Sequence, residues 1–298
     1  MTEQAALFGP HGNLLGIVTH PSGDSQSTAF VVLNAGMVHS VGPNRISVTM
    51  ARALAFSGFP VLRFDLSGLG DSAPRIGEGQ QVALEDIEAA IDYVLKETNA
   101  AQVVLLGLCS GAFNTFSYSQ KDPRVVGAVM IDGYAYPTIK SMIRRYSGPL
   151  LNLGAWGRAC GRLFASVRRK SANLLGVEQD DTDIKKDETT AVFGYVVPNF
   201  PKSAFEAGLR SISERGVCVK LIYSGLMDVN YNYESQYLDW FADNEFLATV
   251  DVSFYPDANH TFTEMVHMNR MRDEIVAWSK RNFSSSNSDN NEQQAFRS

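Results

Sequence analysis

The feature that most constrains this chain is a series of short apolar runs rich in β-branched residues. They are Leu14–Thr19, Phe30–Asn34, Val61–Asp65, Val103–Gly107, Val125–Ile131, Val217–Tyr223 and Val250–Tyr255. Most are apolar throughout and do not alternate with polar residues, which is how strands buried on both faces of a parallel sheet read. Between them lie segments of helical period. Asn44–Phe56 places Val48, Ala51, Leu54 and Ala55 on one side, and Leu84–Leu95 does the same with Ile87, Ala90, Ile91 and Val94. Ser110–Gln120 starts directly after a strand, and Asn269–Arg281 closes the ordered chain. Such strand–helix alternation predicts an α/β fold with a mostly parallel, doubly wound sheet. In a sheet of that kind ligands bind beyond the carboxyl ends of the strands.

The alternation breaks between Gly133 and Phe200, where the pattern turns helical, glycine-punctuated and charged. We read residues 133–200 as a helical cap inserted into a core made of residues 1–132 and 201–283. The Ser/Asn/Gln-rich residues 284–298 read as a disordered tail. With 45% apolar residues the chain of 298 is rich enough for a full core. A net charge of -6 argues against non-specific nucleic-acid binding. Three cysteines and no C-x-x-C pair give neither a disulfide framework nor a thiolate zinc site. No cofactor or metal is expected. Neither a secretory signal nor a membrane span is visible, so a cytoplasmic protein is expected.

The chemistry centres on one turn. The strand Val103–Leu106 runs into Gly107-Leu108-Cys109-Ser110-Gly111-Ala112 and then into a helix. This is a G-x-nucleophile-x-G frame on a strand-to-helix turn. The tip residue sits at a strained backbone position, and neighbouring chains press on the residues two before and two after it, which must be small. Cys109 therefore takes the tip; Ser110 there would put Leu108 at a crowded position. The following helix N-terminus favours an anion, and thiolate character makes sulfur nucleophilic.

A thiol needs a base, and the base an orienting acid. Asp228 follows the strand Val217–Tyr223, and His260 follows Val250–Tyr255, so both fall on the sheet edge that holds Cys109. His11 and His20 lie near the N-terminal strands, and His267 near a helix start. Asp257, only three residues from His260, is poorly placed to sit behind the ring, which leaves Asp228 as the expected acid. Two backbone donors would bind the developing oxyanion. One is the Ser110 N–H. The other comes from the loop Asn34-Ala35-Gly36-Met37-Val38, with Met37 preferred over Ala35 or Gly36. His39, Tyr134 and Trp156 are expected to line the substrate. The glycine-rich loop Asp65–Ser72 lacks both the G-x-G-x-x-G spacing and a phosphate-binding lysine.

Taken in order, the Gly36 loop, Asp65-x-x-Gly68-x-Gly70-x-Ser72, the Gly107–Gly111 turn, Asp228 and His260 resemble the α/β-hydrolase superfamily over residues 10–283. The cysteine at the elbow is similar to dienelactone hydrolases and polyhydroxyalkanoate synthases, whose triad is Cys-Asp-His. Val38–Arg45 together with Leu62–Asp65 looks more like bacterial hydrolases encoded near exosortase systems. The resemblance implies the order nucleophile, acid, histidine along the chain. Serine stands at the elbow in most of the superfamily, so the cysteine argues against an ordinary lipase or esterase.

An acyl-cysteine is a thioester, close in energy to an acyl-CoA or carrier-protein thioester, so its acyl group can pass to an amine, thiol or alcohol as well as to water. Two enzyme readings follow: a thioesterase or ester hydrolase, and an acyltransferase. A third reading is a non-catalytic binding module on the same fold. In the cap, Lys140, Arg144, Arg145, Arg158, Arg162, Arg168, Arg169 and Lys170 occur with no intervening acidic residue. They read either as a solvated face or as a docking surface for an acidic carrier protein or CoA phosphates. Interleaved apolar residues such as Leu150, Leu153 and Trp156 leave membrane contact as another reading.

Overall fold

The structure is a computed structural model that describes residues 1–76, 79–150, 191–192, 195–196, 200–226, 231–241 and 249–284. Its centre is an eight-stranded sheet. The strands are β1 (Thr2–Phe8), β2 (Leu14–His20), β3 (Thr28–Leu33), β4 (Val61–Phe64), β5 (Gln102–Leu108), β6 (Val125–Ile131), β9 (Cys218–Ser224) and β10 (Val250–Tyr255). A separate two-stranded pair is formed by β7 (Ala191–Val192) and β8 (Tyr195–Val196). The sheet order is β1-β2-β4-β3-β5-β6-β9-β10. From β4 to β10 every pairing is parallel, while β1 and β2 join antiparallel. The helices are α1 (Ile46–Phe56), α2 (Gly79–Thr98), α3 (Ser110–Ser119), α4 (Ile139–Leu150), α5 (Lys202–Glu214), α6 (Gln236–Trp240) and α7 (Met265–Phe283).

The unbroken apolar runs have a direct cause. Successive side chains of a strand point to opposite faces, so a strand with helices on both sides must be apolar at every position. Val104, Leu106 and Leu108 of β5 enter one core, with Ile46, Met50 and Leu54 of α1 and Met271, Ile275 and Trp278 of α7. Val103 and Leu105 enter the other side, with Ile87, Ile91 and Val94 of α2. On β6, Val129 and Ile131 join the first core, while Ala128 and Met130 join Phe116 of α3 and Phe205 and Leu209 of α5. Each fully buried aliphatic side chain of this kind contributes about 1.5–3 kcal/mol.

Several elements depart from expectation: α6 and the β7–β8 pair, which falls inside the stretch expected to be helical, were not foreseen, and α2 and α7 begin before Leu84 and Asn269. β1 was not foreseen, because it is an edge strand whose first residues are exposed and carry no apolar run. α5 was not foreseen either. α1 begins at Ile46 and not at Asn44, because Asn44 and Arg45 both adopt left-handed backbone (φ 52° and 61°), which a right-handed helix cannot contain. The proposed insert, residues 133–200, lies largely outside the described residues, as do residues 285–298. Among the described residues no helix is long and apolar enough to cross a membrane.

α7 is fixed to the sheet edge by a buried cation. Lys220 of β9 is 2% exposed and donates to Asp251 (2.6 Å) and to Glu274 of α7. Glu274 also accepts from Ser253 and Tyr255. A buried ammonium persists only when fully paired in this way. The clamp matters here because the loop leading into α7 contains His260.

Candidate active site

β5 ends at Leu108, and the next residue, Cys109, turns the chain into α3 at φ 57°, ψ −116°. A non-glycine residue at such an angle is strained and persists only where its surroundings fix it. Here the Cys109 N–H donates to the Ile131 carbonyl of β6 (2.9 Å), and its own carbonyl accepts from Ala112 (3.0 Å). A Cβ on Gly107 would land on the Gly111 carbonyl, and one on Gly111 would sit 2.6 Å from the Asn34 carbonyl oxygen. Both glycines are thus demanded by close backbone approach. Cys109 is half-buried, and the N–H groups of Ser110 and Gly111 lie in the first turn of α3, where helical amides have no intrahelical acceptor.

His260 stands in the loop after β10. This loop is stitched to its neighbours: Leu226 donates to the Ala258 carbonyl (3.0 Å), and the Asn44 side chain reaches Thr261 and Thr263 at 3.3 Å each. The ring hydrogen-bonds Asp132 through Nδ1 (3.0 Å to Oδ2) and also Cys109, which leaves Nε2 for the sulfur. Its pKa is pushed up to about 10, first by the hydrogen bond to Asp132 and next by that to Cys109, with burial opposing.

Asp132 is the residue that sequence reasoning missed. It follows β6 directly, is 8% exposed and adopts φ 46°. Its N–H donates to Ile222 (2.8 Å), and its carboxylate accepts the Ser224 N–H (2.7 Å), the Ser224 hydroxyl (2.6 Å) and the His260 ring. The expected acid, Asp228, lies outside the described residues. An imidazole has a single Nδ1 proton to donate, and in this structure Asp132 receives it. Asp257 is exposed. The available signal was the strand Val125–Ile131 itself, which ends one residue before Asp132 on the same sheet edge as Cys109.

A model of the α/β hydrolase fold matches residues 30–150, which span β3, β5, the Cys109 turn and Asp132. The chain has the α/β-hydrolase fold. No curated protein matches it by sequence. Solved structures with this fold include a serine hydrolase without a lid from Xanthomonas campestris. It is 16% identical, covers 95% of this chain and 94% of its own, and has a TM-score of 0.54. An esterase domain from Rhodothermus marinus is also 16% identical, with coverage of 94% and 99% and a TM-score of 0.55. An esterase from Pyrococcus furiosus is 14% identical, with coverage of 95% and 92% and a TM-score of 0.56. Along the chain the three side chains that this fold brings together come in the order Cys109, Asp132, His260.

The remaining expected residues fall as follows. Met37 lies in a turn closed by Val38 N–H to the Ala35 carbonyl (3.0 Å). Its own N–H takes no partner among the described residues. The His39 ring is held within its own loop region: Nδ1 accepts from the Val41 N–H (3.1 Å), and Nε2 faces Asp71 (2.9 Å) and Asp65 (3.3 Å). His39, Asp65 and Asp71 form the one trio with metal-ligand spacing among the described residues. Asp65 is fully buried and already accepts from Asn34, Ser40 N–H, Ser40 hydroxyl and Asp71 N–H, so the trio acts as a brace for the loop and not as a ligand set. Tyr134 packs among Phe113, Phe116, Phe200 and Phe205 on the α3–α5 side of the sheet. Trp156 lies outside the described residues.

Proposed function

We propose that the protein is an acyl-transfer enzyme, a hydrolase of thioesters or esters, that works through a covalent acyl-Cys109. The observation behind this reading is the position of His260, hydrogen-bonded on one side to Cys109 and on the other to buried Asp132. With its pKa near 10 the ring holds a proton at neutral pH, so it stands beside the sulfur as a cation. Asp132 supplies the orienting carboxylate, in place of the expected Asp228.

In the reaction Sγ attacks the acyl carbonyl carbon. The oxygen takes the negative charge and is held by the N–H groups of Ser110 and Met37. Collapse breaks the bond to the leaving thiol or alcohol, which receives its proton from His260. Neutral His260 then takes a proton from water, which attacks the acyl-sulfur carbonyl and releases the acid and the Cys109 thiolate, with the proton again on the ring. The sulfur supports a second reading. Because acyl-Cys109 is itself a thioester, an amine or alcohol replacing water in the second half would make the protein an acyltransferase, and water access to the acyl-enzyme decides between the two. A protein that needs this thiol reduced belongs in a reducing compartment such as the cytoplasm. A binding module that had lost its chemistry would have no need of a strained cysteine paired to a histidine.

The test is intact-protein mass measurement after mixing with an activated thioester such as phenyl thioacetate. One acetyl group should appear on Cys109 and decay in water, faster with an amine present if acyl transfer is the true activity. No adduct and no thiophenol release would refute the reading.

A further inference from the structure

We propose that the Ser110 side chain is a positioning residue that ties the two halves of the oxyanion hole together. The proposal rests on the acyl-Cys109 reading above. Ser110 contributes its backbone N–H as the helix half of the hole. Its hydroxyl does something separate: Oγ accepts the N–H of Gly36, at 2.6 Å, across 74 residues of sequence. Ser110 is 7% exposed, so this bond is shielded from competing water.

The loop half would be undefined without that bond. Gly36 adopts φ 59°, a conformation open to glycine but with many alternatives, and a Cβ there would meet nothing within 4 Å. Packing therefore does not hold this residue. Hydrogen bonds do: Val38 N–H to the Ala35 carbonyl (3.0 Å), the Asn34 amide to the Val38 carbonyl (2.8 Å), and Gly36 N–H to Ser110. The first two close the turn upon itself and upon β3. Only the third joins it to the nucleophile's helix. The same bond occupies the Gly36 N–H and so removes it as an oxyanion donor. The next amide, that of Met37, keeps no partner among the described residues and faces no such competition. Ser110 thus selects which amide of the loop is presented and fixes its distance from the Ser110 N–H. An oxyanion hole depends on donors placed before charge develops, and a serine hydroxyl can accept here without losing its backbone role.

The proposal separates two reactions of one sulfur. Alkylation by iodoacetamide forms an Sγ–CH2 bond and expels iodide; no carbonyl oxygen gains charge. Acylation by phenyl thioacetate forms an Sγ–C(=O) bond, expels thiophenol and passes through an oxyanion. In Ser110→Ala the alkylation rate of Cys109 should stay within about twofold of wild type, while kcat for thiophenol release falls ~10–100-fold with little change in KM, somewhat less than loss of a donor itself. Ser110→Thr keeps the hydroxyl and should restore most of the rate. Equal acylation by Ser110→Ala and wild type would overturn the proposal. So would a parallel fall of alkylation and acylation, which would mean that Ser110 acts on the thiol or on the fold. Failure of the underlying reading looks different: wild type would alkylate at Cys109 yet never acylate.

Discussion

Two corners of the site are built alike and read differently. Cys109 and Asp132 stand at the ends of neighbouring strands β5 and β6, and both hold non-glycine residues at positive φ, 57° and 46°. Each is pinned by donating its N–H to the next strand, to Ile131 and Ile222. In each case strain aims a short side chain over the carboxyl edge of the sheet. The Cys109 corner is crowded by backbone, so it needs Gly107 and Gly111 and announces itself in the sequence. The Asp132 carboxylate is held by hydrogen bonds from the backbone N–H and the hydroxyl of Ser224, a residue 92 positions away, and so leaves no local mark. Backbone crowding writes a motif; long-range hydrogen bonding does not.

The sharpest test of that pairing is removal of the sulfur. Cys109→Ala should fold normally and lose turnover by several orders of magnitude, as expected for a covalent nucleophile. Cys218→Ala should leave the rate nearly unchanged, because Cys218 lies half-buried at the start of β9 and takes no part in the site. Thioester turnover by Cys109→Ala near the wild-type rate would break the assignment of the Cys109 corner.

The next test sets Asp132 against Asp228. Asp132→Asn should lower kcat about 10²–10⁴-fold, whereas Asp228→Asn should be mild. The pH dependence gives an independent measurement. His260 has its pKa raised, so the stability that its pairing contributes is fully present below the unfolded value of 6.5 and is lost as pH rises through about 10. Activity that depends on the imidazolium should fall over the same alkaline limb. Asp132→Asn removes the largest upward influence, so that limb should move toward lower pH in both the rate profile and thermal melts. A large loss in Asp228→Asn, with an unmoved limb in Asp132→Asn, would reverse the choice.

The fold was legible because burial on both faces forces unbroken apolar strands, and the Cys109 turn because close approach forces glycine. His260 was legible as a candidate because it follows the last strand on the correct edge. The carboxylate that meets its ring was not. Asp132 directly follows a correctly bounded strand, but Ile131-Asp132-Gly133 looks like any strand end, and nothing nearby reports that Ser224 and His260 converge on it. Asp65 shows the difficulty, being another buried carboxylate just past a strand end, yet its partners are Asn34, Ser40 and Asp71, and it braces a loop. β1 was invisible for the opposite reason, since an exposed edge strand has no need of an apolar run.

A smaller effect should come from Ser224→Ala. This removes the hydroxyl donor to Asp132 (2.6 Å) and keeps the Ser224 N–H donor (2.7 Å). A hydrogen bond to a charged group contributes about 1.5–3 kcal/mol, part of which the remaining donors recover. The expected outcome is a roughly tenfold fall in kcat with the alkaline limb shifted in the same direction as in Asp132→Asn, but less far. An unchanged profile would mean that the acid corner does not depend on its distant serine, and the contrast with the glycine-held elbow would lose its basis.

The smallest effect concerns α4, beyond both corners. Lys140 and Arg144 rest over the Tyr233 ring, at 4.3 Å and 5.2 Å from its centroid, and Lys140 lies 3.9 Å from Asp239. These contacts suit a solvated face; the basic residues from Arg158 to Lys170 lie outside the described residues. If CoA phosphates or an acidic carrier protein dock on α4, Arg144→Glu with Arg145→Glu should raise KM for a CoA thioester a few-fold and leave kcat alone, because docking contacts act equally on ground and transition states. A small neutral thioester should be unaffected. Added salt should reproduce the change in wild type, since at about 0.15 M exposed charges interact over only ~8 Å. Equal losses on the neutral substrate would indicate a disturbed α4, and no loss on either would return these arginines to a solvated face.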